Sequence, residues 1–453
     1  MNPIAPPLSP PDPGLLYAVA FLLVLLSPLA IAGLALVNTG LGRSRSAAQA
    51  ILGNLAIVSV AVIAFALFGA AIAGYLSGTP AGGTGHEFHA AGHIWNWIGS
   101  GPFLLKGFYA APVRAQIALL FEMIGVGFAA IIPWGSGADR WRLAAGCAAA
   151  ILIAGFVCPL VLHWVWGGGF LTGLGTNFSL GADFLDPGAA ASIQVVGGLS
   201  ALALIWRLGP RAGKFPRTGI STAMPGHNAV YVLFGCLLAL VGWLAWNAAG
   251  AILFWNAPVA GLPAAALPLA AFPLSALPRV AIDTLLSAAS ALGATMAITR
   301  YRFGKPDASL CANGWLAGLV TSSACAALVT PLEAIITGLI AGIITPLLIE
   351  LLELALSIDD PSGAIAAHAA SGLWGLLAVG FFFPMKGQLT AQLVGIATLL
   401  GVVLPLVYLL FALLNKLIPF RVDPDGERMG MDLHELGGGA YPEFVIHRDE
   451  SYR

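Results

Sequence analysis

The sequence predicts an all-α polytopic membrane protein of eleven transmembrane helices, with its N-terminus outside and its C-terminus in the cytoplasm. Three observations carry that expectation. Only 20 basic and 21 acidic side chains serve 453 residues, 9% of the chain, where a soluble protein carries roughly 25%. Hydrophobic residues make up 58%, and the mean hydropathy is +0.89. A large core could absorb that apolar content, but a dissolved protein would still need a charged surface. The third observation is where the basic residues fall: with the N-terminus outside, sixteen Lys and Arg collect on the cytoplasmic side and four outside, a strong positive-inside bias. Net charge is −1 with no basic stretch, which argues against nucleic-acid binding.

The elements follow in order. Residues 1–14, MNPIAPPLSPPDPG, have no positive region before the first apolar run and read as a Pro-rich extracellular tail, not a signal peptide. About 20 apolar residues are needed to cross a bilayer. Such runs lie at 15–38, 47–75, 116–134, 143–166, 187–207, 227–250, 279–300, 309–328, 332–356, 363–383 and 393–418. The apolar stretch 257–278 is left out because proline recurs at 258, 263, 268, 273 and 278, removing helical hydrogen bonds each turn or so; an extended or broken surface segment is expected there. The membrane domain is thus 15–418, and the charged remainder, 419–453, is a cytoplasmic tail. Five scattered cysteines without CxxC spacing read as small buried packing residues.

An internal repeat marks a candidate site. Asp186-Pro187 is followed by Gln194, Gly198 and Leu199, and Asp360-Pro361 by His368, Gly372 and Leu373, a shared pattern D-P-x6-Q/H-x3-G-L. Taken alone, each D-P pair is a good helix start, with Asp as N-cap and Pro at the first helical position. The copies open on opposite sides of the membrane, five spans apart, so the repeat is inverted: one half spans about 15–207, the other about 227–383, with 393–418 as a final helix. Transporters built this way hold their sites near the midplane between the halves. Gln194 and His368 stand eight residues, about 12 Å, into their helices from opposite faces and are expected to meet. At that depth His368 reads either as lining a pore or as one half of a helix–helix hydrogen bond.

Six stretches together resemble the ammonium transporter family (Amt/Mep/Rh): HWVWGGG at His163–Gly169, His227-Asn228, GWLAWNA at Gly242–Ala248, NGWLAGLV at Asn313–Val320, IDDPSGAIAAHAASGLW at Ile358–Trp374, and GMDLHELGGGAY at Gly430–Tyr441. The resemblance implies a homotrimer in the cell membrane (inner or plasma), two inverted five-helix halves, and a pore in each subunit. It implies a vestibule that recruits NH4+ with a Trp, matched by Trp166, whose π face suits a cation. Two stacked phenylalanines would gate the pore above a hydrogen-bonded histidine pair, and Asp186 matches a helix-capping Asp beneath the vestibule. A bare monocation in such surroundings is prohibitively expensive, so ammonium would pass as NH3 after losing its proton. The tail resembles a regulatory segment that packs on a neighbouring subunit's cytoplasmic loops and answers to PII-type signalling proteins. The expected role is transport, not enzymatic catalysis, with no cofactor and no metal.

Several positions depart from the family pattern. Gly125 stands where the outer gate Phe belongs, with Phe121 and Phe128 close by; Trp246 replaces the inner gate Phe, and Gly250 the vestibule Ser. The first pore histidine is Gln194, while His368 is kept. Gln can still bridge to His368 but takes up no proton near neutral pH, which interrupts a relay through two rings. Trp246 is expected to fill part of the space left at Gly125, and Trp243 of the same stretch is counted with the pore residues. Glu122 replaces a Gln and is either paired or neutral. These departures keep a second reading open, a non-transporting ammonium sensor or regulatory homologue on the same scaffold. Among other features, His86, His89 and His93 have metal-like spacing without a carboxylate or Cys partner, and His163 reads as structural. Trp95 and Trp97 read as interfacial anchors, and the run Glu350–Asp360 as solvated or capping. Asp283 is either a helix-end residue or one facing the pore mouth.

Overall fold

A computed structural model describes residues 13–74, 85–216, 219, 221–254 and 274–441. The tail before residue 13, most of the proline-rich stretch 257–278, and the end of the C-terminal tail lie outside the described residues. The protein is a multi-pass bundle of helices: α1 (Gly14–Leu41), α2 (Ser44–Ala73), α3 (Val113–Ser136), α4 (Leu143–Gly173), α5 (Ala190–Leu208), α6 (Ala229–Leu253), α7 (Ala276–Phe303), α8 (Ala308–Cys325), α9 (Pro331–Ala355), α10 (Ile365–Phe382) and α11 (Gln388–Leu417). Among the described residues ten are long and apolar enough to cross a membrane; α8, the eighth expected span, is the exception. It has 18 residues, carries Asn313, Thr321, Ser322 and Ser323, and is buried along most of its length, so its surroundings supply what its own apolarity lacks. Every expected span is helical, but the fold is not wholly so. Residues of the HEFHAAGH segment form a β-hairpin, β1 (Gly85–Ala90) and β2 (His93–Gly99), instead of a loop.

The two D-P copies fold alike. Asp186 Oδ1 and Oδ2 accept the backbone N–H groups of Ala190 and Ala191 at 2.7 and 2.8 Å. Asp360 Oδ2 accepts from Ile365 N at 2.9 Å, and its Oδ1 from the Ser136 hydroxyl at 2.7 Å. The prolines are not at the first helical position, as the sequence suggested. Each stands in a turn that ends in a left-handed residue at the same motif position, Ala189 (φ +62°) and Gly363 (φ +69°). Both helices then open with a π-helical turn, Ala190–Val195 and Ile365–Ala370, a geometry frequent at functional sites. The motif glycines set the crossing of α5 and α10. A Cβ on Gly198 would lie 2.3 Å from Ala369 N, and one on Gly372 would lie 2.7 Å from Val195 Cγ2.

The face of the bundle opposite the hairpin is held by buried charge. Arg211 donates through Nε and Nη2 to the two oxygens of Asp359, both at 2.9 Å, and through Nη1 to Asp139 at 3.1 Å. Arg140, fully buried, donates to the carbonyls of Gly209 and Asp359. Three connecting segments, 137–142, 209–214 and 357–364, are thereby tied together. Within the run 350–360 Asp359 is 2% exposed and is not solvated, Glu350 and Glu353 pair with Arg302 and Lys214, and Asp360 caps, one of the two roles expected there. The C-terminal segment docks on the same face within its own chain. Asp432 accepts from Ala48 N and Gln49 N, Glu435 from Leu143 N, and Tyr441 Oη lies 3.0 Å from His227 Nε2.

Burial opposes the charge of Asp359, but Arg140 and Arg211 outweigh it and hold its carboxyl below the usual carboxylate range. A carboxylate with a lowered folded pKa contributes stability that is complete above its unfolded pKa and disappears as pH falls through the folded value. Replacing Asp359→Asn removes the carboxylate between two buried guanidinium groups, leaving Arg211 with Asp139 alone, and should cost roughly 3 kcal/mol. Thermal unfolding in detergent should show a lowered melting temperature near neutral pH, with the gap to the parent closing only in strong acid.

Candidate functional site

The centre of the bundle is where α5 and α10 cross. There His368 Nδ1 lies 2.8 Å from Gln194 Oε1, with His368 1% and Gln194 0% exposed. The expected meeting of these two side chains is what the structure has. An amide oxygen only accepts, so His368 Nδ1 carries the proton and Nε2 of the neutral ring is left as an acceptor. Gln194 Nε2 is buried with no hydrogen-bond partner among the described residues, a donor with nothing to donate to. One acceptor and one donor are thus presented from the two halves of the repeat, both set by the π turns that rotate residues 194 and 368 toward each other.

Aromatic rings lie beside this pair on the side of the hairpin. Trp166 donates through Nε1 to the carbonyl of Asp186 at 3.0 Å, so the capping residue also positions the ring. One face of Trp166 is not open as expected: Phe254 stacks on it with centroids 3.6 Å apart and planes at 7°. Phe121 lies 6.0 Å from Trp166 and 5.7 Å from Phe254, and it stacks on Trp246 at 3.8 Å. Trp246 is anchored by its indole N–H to the Gly188 carbonyl at 2.9 Å. Sequence comparison placed the gate at Gly125 and missed both Phe254 and the pairing of Phe121 with Trp246. The signals were present: Phe121 is one turn before Gly125, and Phe254 immediately follows α6, eight residues after Trp246.

The two glycines have packing reasons. A Cβ on Gly125 would lie 2.4 Å from Ile193 Cδ1 and 2.9 Å from the far edge of the Trp246 ring, so Trp246 and Ile193 occupy the vacated space. A Cβ on Gly250 would meet the Pro187 carbonyl oxygen at 2.4 Å. The D-P turn has moved into the place a serine side chain would need. Trp243 stands one turn along α6, donating to the Ser323 hydroxyl at 2.9 Å and meeting Phe128 edge-on at 4.9 Å.

Other candidates sort differently. His163 Nε2 lies 2.9 Å from Asn96 Oδ1 and its Nδ1 3.2 Å from the Ala73 carbonyl, fastening the hairpin to α4 in a structural role. His93 Nδ1 lies 2.8 Å from the Asn177 carbonyl, with the ring on Phe178. Trp95 and Trp97 join a ring cluster with Trp164, Phe170 and Phe178 instead of standing alone at an interface. Asp283 is buried on α7 and pairs with Arg279 at 3.6 Å. Both oxygens of Glu122 are buried without a hydrogen-bond partner among the described residues, which removes the paired alternative.

Residues 16–441 match the family model described as Ammonium Transporter Family. The chain belongs to the ammonium transporter family. It is 29% identical to the ammonium transporter Amt2 of Archaeoglobus fulgidus over 92% of this chain and 86% of that protein. It is 32% identical to the ammonium transporter Amt2 of Haloferax mediterranei over 91% of this chain and 87% of that protein. Its fold is similar to that of a solved "Sensor Amt Protein" (TM-score 0.79, 25% identity, 93% of this chain and 98% of that one). Candida albicans Mep2 shares the fold at a TM-score of 0.75 and 20% identity, over 96% of this chain and 92% of that one.

For this ammonium transporter family member, the glycine at 250 should tolerate little. Gly250→Ser drives a side chain into the Pro187 carbonyl and should destabilise by about 1–3 kcal/mol. A lowered melting temperature of the purified protein checks it; a variant as stable as the parent would show that the turn yields freely.

Proposed function

We propose that this protein carries ammonium across the cell membrane, drawing NH4+ in at the aromatic cluster, where it gives its proton to water on the hairpin side, and passing the neutral NH3 so formed by the Gln194–His368 pair. The observation that carries this reading is the pair itself, buried at the crossing of the two repeat halves. Ammonia accepts one hydrogen bond and donates three. The unpartnered Gln194 Nε2–H suits its lone pair, and His368 Nε2 suits one of its N–H groups. No fixed charge stands at that crossing. A monocation would be strongly disfavoured beside two neutral side chains in buried surroundings, whereas NH3 would not.

In this reading Trp166 and Asp186 frame the entry, and the Phe121–Trp246 stack replaces the pair of gating phenylalanines, with ring area moved one turn along α3. This reading takes the chain as eleven spans, with the hairpin outside and the arginine-rich face in the cytoplasm. Arg43, Arg140, Arg211, Lys214, Arg302 and Arg421 all lie on that face, as a positive-inside topology requires. Three such subunits would form the homotrimer, and the docked tail would offer its exposed side to a PII-type protein.

Proteoliposomes test the reading through uptake of labelled methylammonium. Flux above empty vesicles is expected, and His368→Ala should change it at least tenfold because a donor–acceptor pair on the path becomes a void. Saturable ammonium binding with no flux would overturn transport and leave the sensor reading. Unchanged flux in His368→Ala would show that the path lies elsewhere.

A further inference from the structure

Glu122 has no explanation in the bundle as described. It is 1% exposed, both carboxyl oxygens lack a hydrogen-bond partner, and it takes part in none of the ion pairs among the described residues. A buried charge is ordinarily paired, and stranding one is among the costlier things a fold can do. Its neighbourhood holds a second orphan. Ser192 is 0% exposed, and its hydroxyl oxygen also has no partner among the described residues.

The two belong to one seam. On α3, residues 122, 125, 129 and 132 recur at helical spacing and share a face. Gly125 lies against Ile193, and the Ala129 carbonyl and Ile132 lie against Gly197, so that face runs along the beginning of α5. Glu122 is one turn before Gly125, which sets it beside the Asp186-capped start of α5. Cys158 of α4 closes the third side: its thiol donates to the Ser192 carbonyl at 2.9 Å, near the Glu122 carboxyl. The residue before Glu122, Phe121, is the ring stacked on Trp246.

We propose that Glu122 and Ser192 form an internal binding position for ammonium itself, between the aromatic cluster and the Gln194–His368 pair. This deepens the transport reading and rests on it. The chemistry the seam lacks is a compact positive group rich in donors. Ammonium brings one charge and four N–H bonds; two carboxylate oxygens and one hydroxyl supply three acceptors. The burial that makes a lone carboxylate costly here makes an incoming monocation the partner that relieves it. A glutamine at 122 would fill the same volume with a neutral amide, so the glutamate adds affinity for the charged form ahead of the neutral pair.

The test measures ammonium-dependent thermal stabilisation of the full-length protein in detergent, titrating ammonium chloride against sodium chloride at matched ionic strength, alongside methylammonium flux in proteoliposomes. The parent should show a saturable stabilisation. Glu122→Gln should need roughly tenfold more ammonium, or more, for half the effect, the loss of one charge-assisted contact, and Glu122→Asp should recover part of it. Ser192→Ala, which removes only a hydroxyl, should weaken binding several-fold and provides the reading if Glu122→Gln does not fold. Equal half-points in parent, Glu122→Gln and Ser192→Ala would overturn the site. Saturable binding that depends on Glu122 without flux in the parent would support the site and remove only the transport reading.

Discussion

Two carboxylates hold the centre of this protein in place. Asp186 and Asp360 each take the first backbone N–H groups of a helix that begins inside the bundle, after a turn through a left-handed residue. In a membrane those N–H groups have no water to turn to, and leaving them unpaired costs several kcal/mol each. Once the starts are fixed, the rest is geometry. Eight residues on, Gln194 and His368 meet; four further, Gly198 and Gly372 let the helices approach closely enough for the meeting. Asp186 does one thing more, since its carbonyl positions Trp166.

The scarcity of charge is resolved by place. At the crossing there is one amide and one imidazole. At the arginine-rich face, Arg140, Arg211, Asp139 and Asp359 are buried together, and because every member is satisfied they tie three connections into one unit. Between these zones Glu122 stands as the exception, a carboxyl with no counter-charge among the described residues, in a seam that leads to the neutral pair. The fold uses ionised groups for anchoring and keeps its centre neutral, as the proposed passage of NH3 requires. The aromatic rings are likewise placed by packing: Phe121 stacks on Trp246, while Trp246 and Ile193 close over the glycine at 125.

Much of this was legible beforehand, for identifiable reasons. Spans show because hydrocarbon demands length and apolarity over a continuous run, and only α8, buried among other helices, fell short of that standard in the structure. The Gln194–His368 meeting showed because two copies of one motif at equal depth must converge. Pro187 and Pro361 misled, since a D-P pair has the same letters in a turn as at a helix start, and the left-handed residue that decides between them can be Ala as well as Gly. Asp359 looked like surface because its neighbours are acidic; its two arginines come from segments more than 140 residues away. Trp95, Trp97 and the histidines of the hairpin looked like independent features until β1 and β2 gathered them onto α4.

By itself, then, the sequence determined the class, the helices, the internal repeat, the central polar pair and the family, because each of these is written in periodicity, composition or spacing within one segment. Only the tertiary structure decided which ring covers Trp166, why residues 125 and 250 are glycine, how Asp359 is neutralised, and that Glu122 has no partner among the described residues. Those four facts depend on atoms from different helices brought within a few ångströms, and no local pattern encodes such a distance.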